Sequence, residues 1–331
     1  MNAVVVRAFG SPHAMSVEQV PDPLAGEGQV VVEVAYASVT FVETQVRAGR
    51  PPNPAMLPDL PYVPGNGVGG VVRQLGRGAP PDLLGQTVVT PTGGSGGYAE
   101  QVAVPAAAII AVPDGVDVRD AVALLADGRT ALALVEAADL RPGETVLVEA
   151  AAGGVGSCLV QLALAAGARV IACAGGAEKA AIGVQLGAAL AFDYADDTWD
   201  QGVRDAVGAV DVVFDGVGGV IGARAAGLLR PGGRFCRYGM ASGTFTDLAT
   251  ARPANDVELR GLALTPQATR RLSTTALAQA AAGGLRPVVG QIFALEDAGR
   301  AHAAIEARVT IGKTLLDTDA DAGVGARQEA A

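Results

Sequence analysis

Through the first third of the chain, apolar and polar positions alternate at period two, in short runs cut by glycine and proline. The runs AVVVRAF from Ala3, QVVVEVAYASV from Gln29, GVGGVVRQLG from Gly67, QTVVTPT from Gln86 and YAEQVAVP from Tyr98 each read as a strand. An all-β unit is therefore expected from Met1 to about Pro113. The stretch Arg50 to Pro64 (RPPNPAMLPDLPYVP) is too rich in proline for helix and should be a loop lining a cleft.

Near Arg119 the texture changes to Ala/Leu-rich helical segments. From Thr145 strand and helix patterns alternate at the spacing of a parallel sheet covered on both faces. TVLVEA, RVIACA, LAFDY, VDVVFDGV and GRFCRYG are the expected strands. Between them GSCLVQLALAAG, EKAAIGVQLG, TWDQGVRDAVG and GARAAGLLRPGG are amphipathic, each ending at or near a helix-terminating glycine. After Leu262 follow a helix (ATRRLSTTALAQAAAGG), a strand around Pro287 to Phe293, a helix (LEDAGRAHAAIEARV) and a last strand, GKTLL.

A chain of 331 residues exceeds what one core usually organises, so two domains are expected. Half the residues are apolar, yet no uncharged run reaches the roughly 18 residues a membrane span needs. The N-terminus MNAVVVRAFG lacks the features of a secretory signal, which makes a cytoplasmic location the expectation. A formal charge of −10 without a Lys/Arg cluster argues against nucleic acid as a partner. Cys158, Cys173 and Cys236 stand far apart in apolar contexts and read as buried thiols, not as a disulfide or metal clip. The end of the chain, Asp317 to Ala331, has little to bury and is expected to be a mobile tail.

Candidate chemistry begins where TVLVEA runs into AAGGVGSC: strand, glycine turn, helix. Gly153 would let backbone approach a pyrophosphate, Gly156 would let the helix pack on the strand, and the helix N-terminus supplies free N–H groups with partial positive charge. Ala151 replaces the first glycine of G-x-G-x-x-G, so a plain βα turn, or a site for S-adenosylmethionine, competes with a dinucleotide site. The next strand end discriminates. It reads Ala172-Cys173-Ala174-Gly175-Gly176, without the acid that accepts from ribose hydroxyls in NAD enzymes. Lys179 lies within reach, so a ribose 2′-phosphate, and hence NADPH, is the better-matched ligand. Tyr194, at the end of the third strand, is a second candidate for that phosphate. An ordinary solvated lysine and simple edge packing are the plainer readings of the two side chains.

These residues resemble the zinc-independent quinone oxidoreductases of the medium-chain dehydrogenase/reductase superfamily, with zeta-crystallin-like enzymes as relatives. The resemblance spans nearly the whole chain. It rests on AAGGVGS, on GG-x-x-K from Gly175 to Lys179, on DGVGG from Asp215, on LLRPGGR from Leu228 and on the closing RAHAAIEARVTIGKTLL. It implies an α/β protein with a GroES-like β-rich domain over 1–120, completed by 263–316. A Rossmann doubly wound parallel-sheet domain would span 121–262, with NADPH in the cleft between. Carried over by position, the dinucleotide contacts fall on Gly153, Gly154, Val155, Gly156, Gly175, Lys179, Tyr194, Tyr238, Gly239 and Arg308. Thr130 resembles the family's threonine beside the nicotinamide.

Zinc relatives carry a Cys near position 38 and Gly-His-Glu near Gly65, because catalytic zinc takes three N/S/O ligands. This chain has Ser38 and Gly65-Asn66-Gly67, and no metal is expected. Where zinc-independent relatives commonly show Asn-Phe-x-Asp under the nicotinamide, this chain has Thr40-Phe41-Val42-Glu43. Thr40 and Asn66 are thus the candidate catalytic residues. His13, in an early turn, and His302, on an amphipathic helix, read as solvated or packed.

Without a metal or an obvious acid, the expected chemistry is hydride transfer to a small conjugated carbonyl compound, a quinone or an α,β-unsaturated ketone. The oxygen charge so generated can be met by a hydroxyl such as that of Thr40 or by a backbone N–H, with solvent supplying the proton. A dedicated enoyl or polyketide-tailoring reductase and a non-catalytic NADPH-binding sensor are the rival readings. A homodimer is expected from the resemblance, paired through Val257 to Leu264.

Overall fold

The computed structural model describes residues 1–251, 258–260, 262 and 264–318. The chain forms two compact units. The first takes Met1–Ala126, Ser273–Gly284 and the chain from Val289; the second takes Asp127–Leu272 with Leu285–Val288.

In the first unit the strand Gln29–Val39 organises a mainly antiparallel sheet. One edge of it pairs with Gly67–Leu75. The other edge is divided, with Gln101–Pro105 on residues 29–33 and Lys313–Asp317 on residues 36–39. Register shifts near Val31 and Val34 mark bulges, which bend a strand and so let it serve two partners. Val30, Val32 and Val34 are buried in one cluster with Val68, Val72, Val88 and Val104. That packing is what the alternation anticipated.

Two features of this unit differ from expectation. A seven-residue helix, Phe41–Arg47, interrupts the β pattern and starts at a capping box made by Thr40 and Glu43. Asp317, assigned to a mobile tail, is the buried last residue of the strand Lys313–Asp317, pairing with Tyr36 and Ala294. Thr318 follows with an N–H bond to Ala35, and the remainder of the expected tail lies outside the described residues.

In the second unit the described strands form one parallel sheet in the order Leu190–Asp193, Arg169–Ala174, Thr145–Glu149, Val210–Asp215, Leu229–Arg237, Glu258–Arg260. The first strand in sequence is central. Succeeding strands add to one side and then to the other, so the strand order reverses between Thr145–Glu149 and Val210–Asp215. Ligands of such sheets bind at the carboxyl ends of the strands at this reversal. Val146, Leu147 and Val148 are fully buried, as a strand covered on both faces requires. Trp199, Phe235, Ile171 and Leu147 anchor the core, each contributing about 1.5–3 kcal/mol by burial.

The segment GARAAGLLRPGG divides where a single helix was expected. Its helix is Gly219–Ala226, and Leu229 already opens the next strand, because Pro231 and the glycine pair cannot prolong a helix. Glu258–Arg260 is an edge strand; Val257, Gly261 and Ala263 of the expected pairing segment lie outside the described residues.

Candidate functional site

The turn after Thr145–Glu149 opens the helix Gly154–Ala165, with Gly153 in extended conformation as its N-cap. Gly153, having no side chain, does not cap this end itself, and a helix N-terminus of this kind suits an anion. A Cβ on Gly156 would stand 2.1 Å from the carbonyl oxygen of Ala150, so only glycine lets the helix sit this close to the turn. Asp127 lies over the same first turn, where a Cβ on Gly154 would come within 1.9 Å of its Oδ2.

Beside this turn the strand Arg169–Ala174 ends in Gly175 and Gly176. Tyr194 packs on the glycine pair: a Cβ on Gly175 would meet its ring at 2.9 Å and its hydroxyl at 3.5 Å. Gly176 has φ +102° and donates its N–H to Asp193 Oδ1 at 2.7 Å. Lys179 stands half-buried in the first turn of the helix Ala177–Gln185. Tyr194 and the glycine pair thus meet at one strand end, with Lys179 in the first turn of the helix that follows.

At the reversal point Tyr238 and Gly239 donate their N–H groups to the carbonyl of Asp215, at 2.9 and 3.1 Å. The Tyr238 hydroxyl donates to the carbonyl of Glu149 at 3.0 Å, and burial pushes the phenol pKa well up. The Asp215 carboxylate accepts from the N–H groups of Val217 and Gly218 and from the Thr246 hydroxyl. Facing it is Glu149, fully buried, with no hydrogen-bond partner on either carboxyl oxygen. Burial first, and the like charge of Asp215 second, raise the Glu149 pKa well above the usual carboxylate range.

Thr130 lies in the long helix Val118–Ala138, within the second unit. Arg308 belongs to the first unit, exposed just beyond the helix Ala298–Glu306, with left-handed backbone at φ 56°.

The two candidate catalytic positions meet in the first unit through a residue that is neither. The Glu43 carboxylate accepts from the Thr40 N–H at 2.6 Å, the Thr40 hydroxyl at 2.9 Å and the Asn66 N–H at 2.7 Å. Behind it the Tyr98 hydroxyl stands 3.5 Å away and also lies 3.0 Å from Nε2 of His302. Burial raises the Glu43 pKa, against the Thr40 and Asn66 N–H groups and the buried Lys313. His302 is fully buried, as the packed reading anticipated, while His13 is exposed.

Glu43 and Glu149 were missed as site residues. The first had a local signal, Thr-x-x-Glu ahead of a short apolar run; the second had a carboxylate closing a strand of otherwise buried type. All three cysteines are buried thiols outside any disulfide. Among the described residues no group of three or more His, Cys, Asp or Glu could hold a metal ion.

Residues 26–114 match the alcohol dehydrogenase GroES-like domain family and residues 154–282 the zinc-binding dehydrogenase family. A quinone oxidoreductase of Sus scrofa is 32% identical over 324 residues, covering 96% of this chain and 97% of the relative. A 2-haloacrylate reductase of a Burkholderia species is 32% identical over 330 residues, 95% and 98% of the two chains. The quinone oxidoreductase of Thermus thermophilus, solved alone and with NADPH, superposes with a TM-score of 0.81 at 32% identity, covering 96% of this chain and all of that one. The GroES-like and Rossmann expectations are thereby met, and with relatives this similar along nearly its whole length the chain belongs to the quinone oxidoreductase group of the medium-chain dehydrogenase/reductase superfamily.

Proposed function

We propose that this chain is an enzyme that transfers hydride from NADPH to a quinone or an α,β-unsaturated carbonyl compound without a metal. One observation carries the cofactor assignment: the helix N-terminus at Gly153–Gly156 lies in the same unit as Gly175, Lys179 and Tyr194. The relatives supply the reaction class, since a quinone and a haloacrylate are both electron-poor conjugated acceptors. Bound NADPH supplies the hydride. Gly153, Gly154, Val155 and Gly156 hold the pyrophosphate on the helix N-terminus. Lys179 and Tyr194 take the 2′-phosphate, and Thr130, Tyr238, Gly239 and Arg308 complete the dinucleotide contacts.

Of the two candidate catalytic residues, Asn66 faces the acceptor in this reading, while Thr40 gives its hydrogen to Glu43 Oε2. The Asn66 side chain is exposed and its amide makes no hydrogen bond among the described residues, so its N–H is available to oxygen charge developing on the acceptor. Metal independence follows from Ser38 and Asn66 standing where zinc relatives place Cys and His. We infer a cytoplasmic homodimer, paired through the segment Val257 to Leu264, whose Glu258–Arg260 is an edge strand among the described residues. No described helix is long and apolar enough to cross a membrane.

The test is NADPH consumption, followed by nicotinamide absorbance, across a panel of quinones, enones and haloacrylates, with NADH alongside. Turnover of conjugated acceptors with NADPH preferred is expected. Tight NADPH binding without turnover of any acceptor would leave a binding protein and overturn the reductase reading.

A further inference from the structure

Glu43 does more than a helix cap requires. The capping box is complete with the Glu43 N–H donating to Thr40 Oγ1 at 3.3 Å and the Thr40 N–H donating to Glu43 Oε2 at 2.6 Å, so of the carboxylate it needs only that one oxygen. The other oxygen, Oε1, is spent on a different segment, accepting the Asn66 N–H at 2.7 Å across 23 positions of sequence. The Asn66 carbonyl in turn accepts from the N–H of Thr92 at 3.2 Å, so the Asn66 backbone is held at both polar groups. Glu43 itself is 8% exposed, with the buried Lys313 as its counter-charge and Tyr98 behind Oε2. Desolvating a carboxylate is costly, and a helix start alone can be capped by a hydroxyl or amide at far lower cost.

The hydrogen-bond directions decide what each candidate can offer an acceptor. An ionised carboxylate only accepts, so the Thr40 hydroxyl must spend its single hydrogen on Oε2 and has lone pairs alone for anything else. The Asn66 amide, exposed and without a partner among the described residues, keeps both of its hydrogens for an acceptor. We infer that Glu43 is a positioning residue of the reaction: it turns the Thr40 hydrogen inward, anchors the Asn66 backbone, and so makes the Asn66 amide the side-chain donor to the acceptor oxygen. This rests on the proposed reductase reading.

The experiment is a set of variants assayed for kcat/KM on an acceptor that the unaltered chain reduces, with NADPH affinity measured separately. Asn66→Ala removes the amide but keeps the clamped N–H, and should lose on the order of a hundredfold in kcat/KM, with NADPH affinity unchanged. Thr40→Val removes the helix cap given to the Glu43 N–H and a hydroxyl whose hydrogen points to Oε2, so it should lower stability yet cost less than about threefold in kcat/KM. Glu43→Gln presents an N–H₂ to one of the two donors and should match Asn66→Ala in loss, yet add less than about twofold in the Asn66→Ala background. Equal losses for Thr40→Val and Asn66→Ala overturn the inference, as does a Glu43→Gln loss that persists undiminished in the Asn66→Ala background. If Glu43→Gln fails to fold, the Thr40→Val and Asn66→Ala comparison decides alone. An unaltered chain that binds NADPH and reduces no acceptor overturns the reductase reading and the inference together; active protein with the wrong variant pattern overturns the inference only.

Discussion

Tyr98 and His302 lie 204 positions apart in sequence and meet in the core, the hydroxyl 3.0 Å from Nε2 and the rings edge to face. Burial, with the Arg47 charge adding to it, pushes the imidazole pKa down from 6.5 to about 3, and Nδ1 has no partner. The ring is therefore neutral, with Nε2 as its hydrogen-bonding atom toward Tyr98. A depressed histidine pKa means that the unfolded chain binds the extra proton first. Stability is complete above pH 6.5 and falls as pH drops from there toward about 3, by at most about 1.4 kcal/mol per pH unit from this group. Thermal melts of the unaltered chain and of His302→Gln across that window should show a shallower acid decline for the variant. Parallel declines would assign the acid sensitivity elsewhere.

Glu149 carries the opposite sign. Its pKa is raised in the folded state, so its contribution to stability is complete below the ordinary carboxylate value of 4.5 and is lost as pH rises through the folded value. At pH 8 the folded chain must hold a buried unpaired charge beside Asp215 or a proton taken up against the solvent. Glu149→Leu, apolar and of similar volume, should raise stability by about 1–3 kcal/mol at pH 8 and by less at pH 5. Chemical denaturation at the two pH values checks it, and an equal gain at both would show that packing, not charge, is responsible.

The 2′-phosphate site proposed at the second strand end predicts a nucleotide preference. Lys179→Ala should cost at least tenfold in NADPH affinity, about 1.4 kcal/mol, and leave NADH binding nearly unchanged. Tyr194→Phe keeps the ring packed on Gly175 and removes only the hydroxyl, so a smaller loss is expected. Calorimetric titration with both nucleotides is the measurement. Equal losses for NADPH and NADH would place Lys179 outside the 2′-phosphate pocket.

What the sequence made legible follows from range. Gln29–Val39 announces itself because its alternation is local, and the glycine turn because strand, turn and helix are contiguous. The helix Phe41–Arg47 is too short for a 3.6-residue period to show, although its capping box was readable as Thr40-x-x-Glu43. The contacts of Glu43 with Asn66 and Tyr98, and of Tyr98 with His302, close loops of 23, 55 and 204 positions, and no local pattern records them. Glu149 directly follows the apolar run Val146, Leu147 and Val148. Only the sheet order reveals that its carboxyl faces Asp215 across neighbouring strands.

The two glycines flanking the turn do separable work, and alanine distinguishes them. At Gly156 a Cβ would stand 2.1 Å from the Ala150 carbonyl oxygen and 2.9 Å from the Ala151 Cα, both backbone positions that cannot yield without moving the turn. Gly156→Ala should therefore lower stability by about 1–3 kcal/mol and weaken nucleotide binding with it. At Gly153 a Cβ would meet only the Ala150 carbonyl, at 3.1 Å, and the extended backbone there suits any residue. Gly153→Ala should fold with stability changed by less than about 1 kcal/mol, yet lose NADPH affinity, because the methyl group fills the approach to the helix N-terminus. Melting temperature and NADPH titration, read side by side on the two variants, check the division; a Gly153→Ala chain that binds NADPH normally would move the pyrophosphate off this turn.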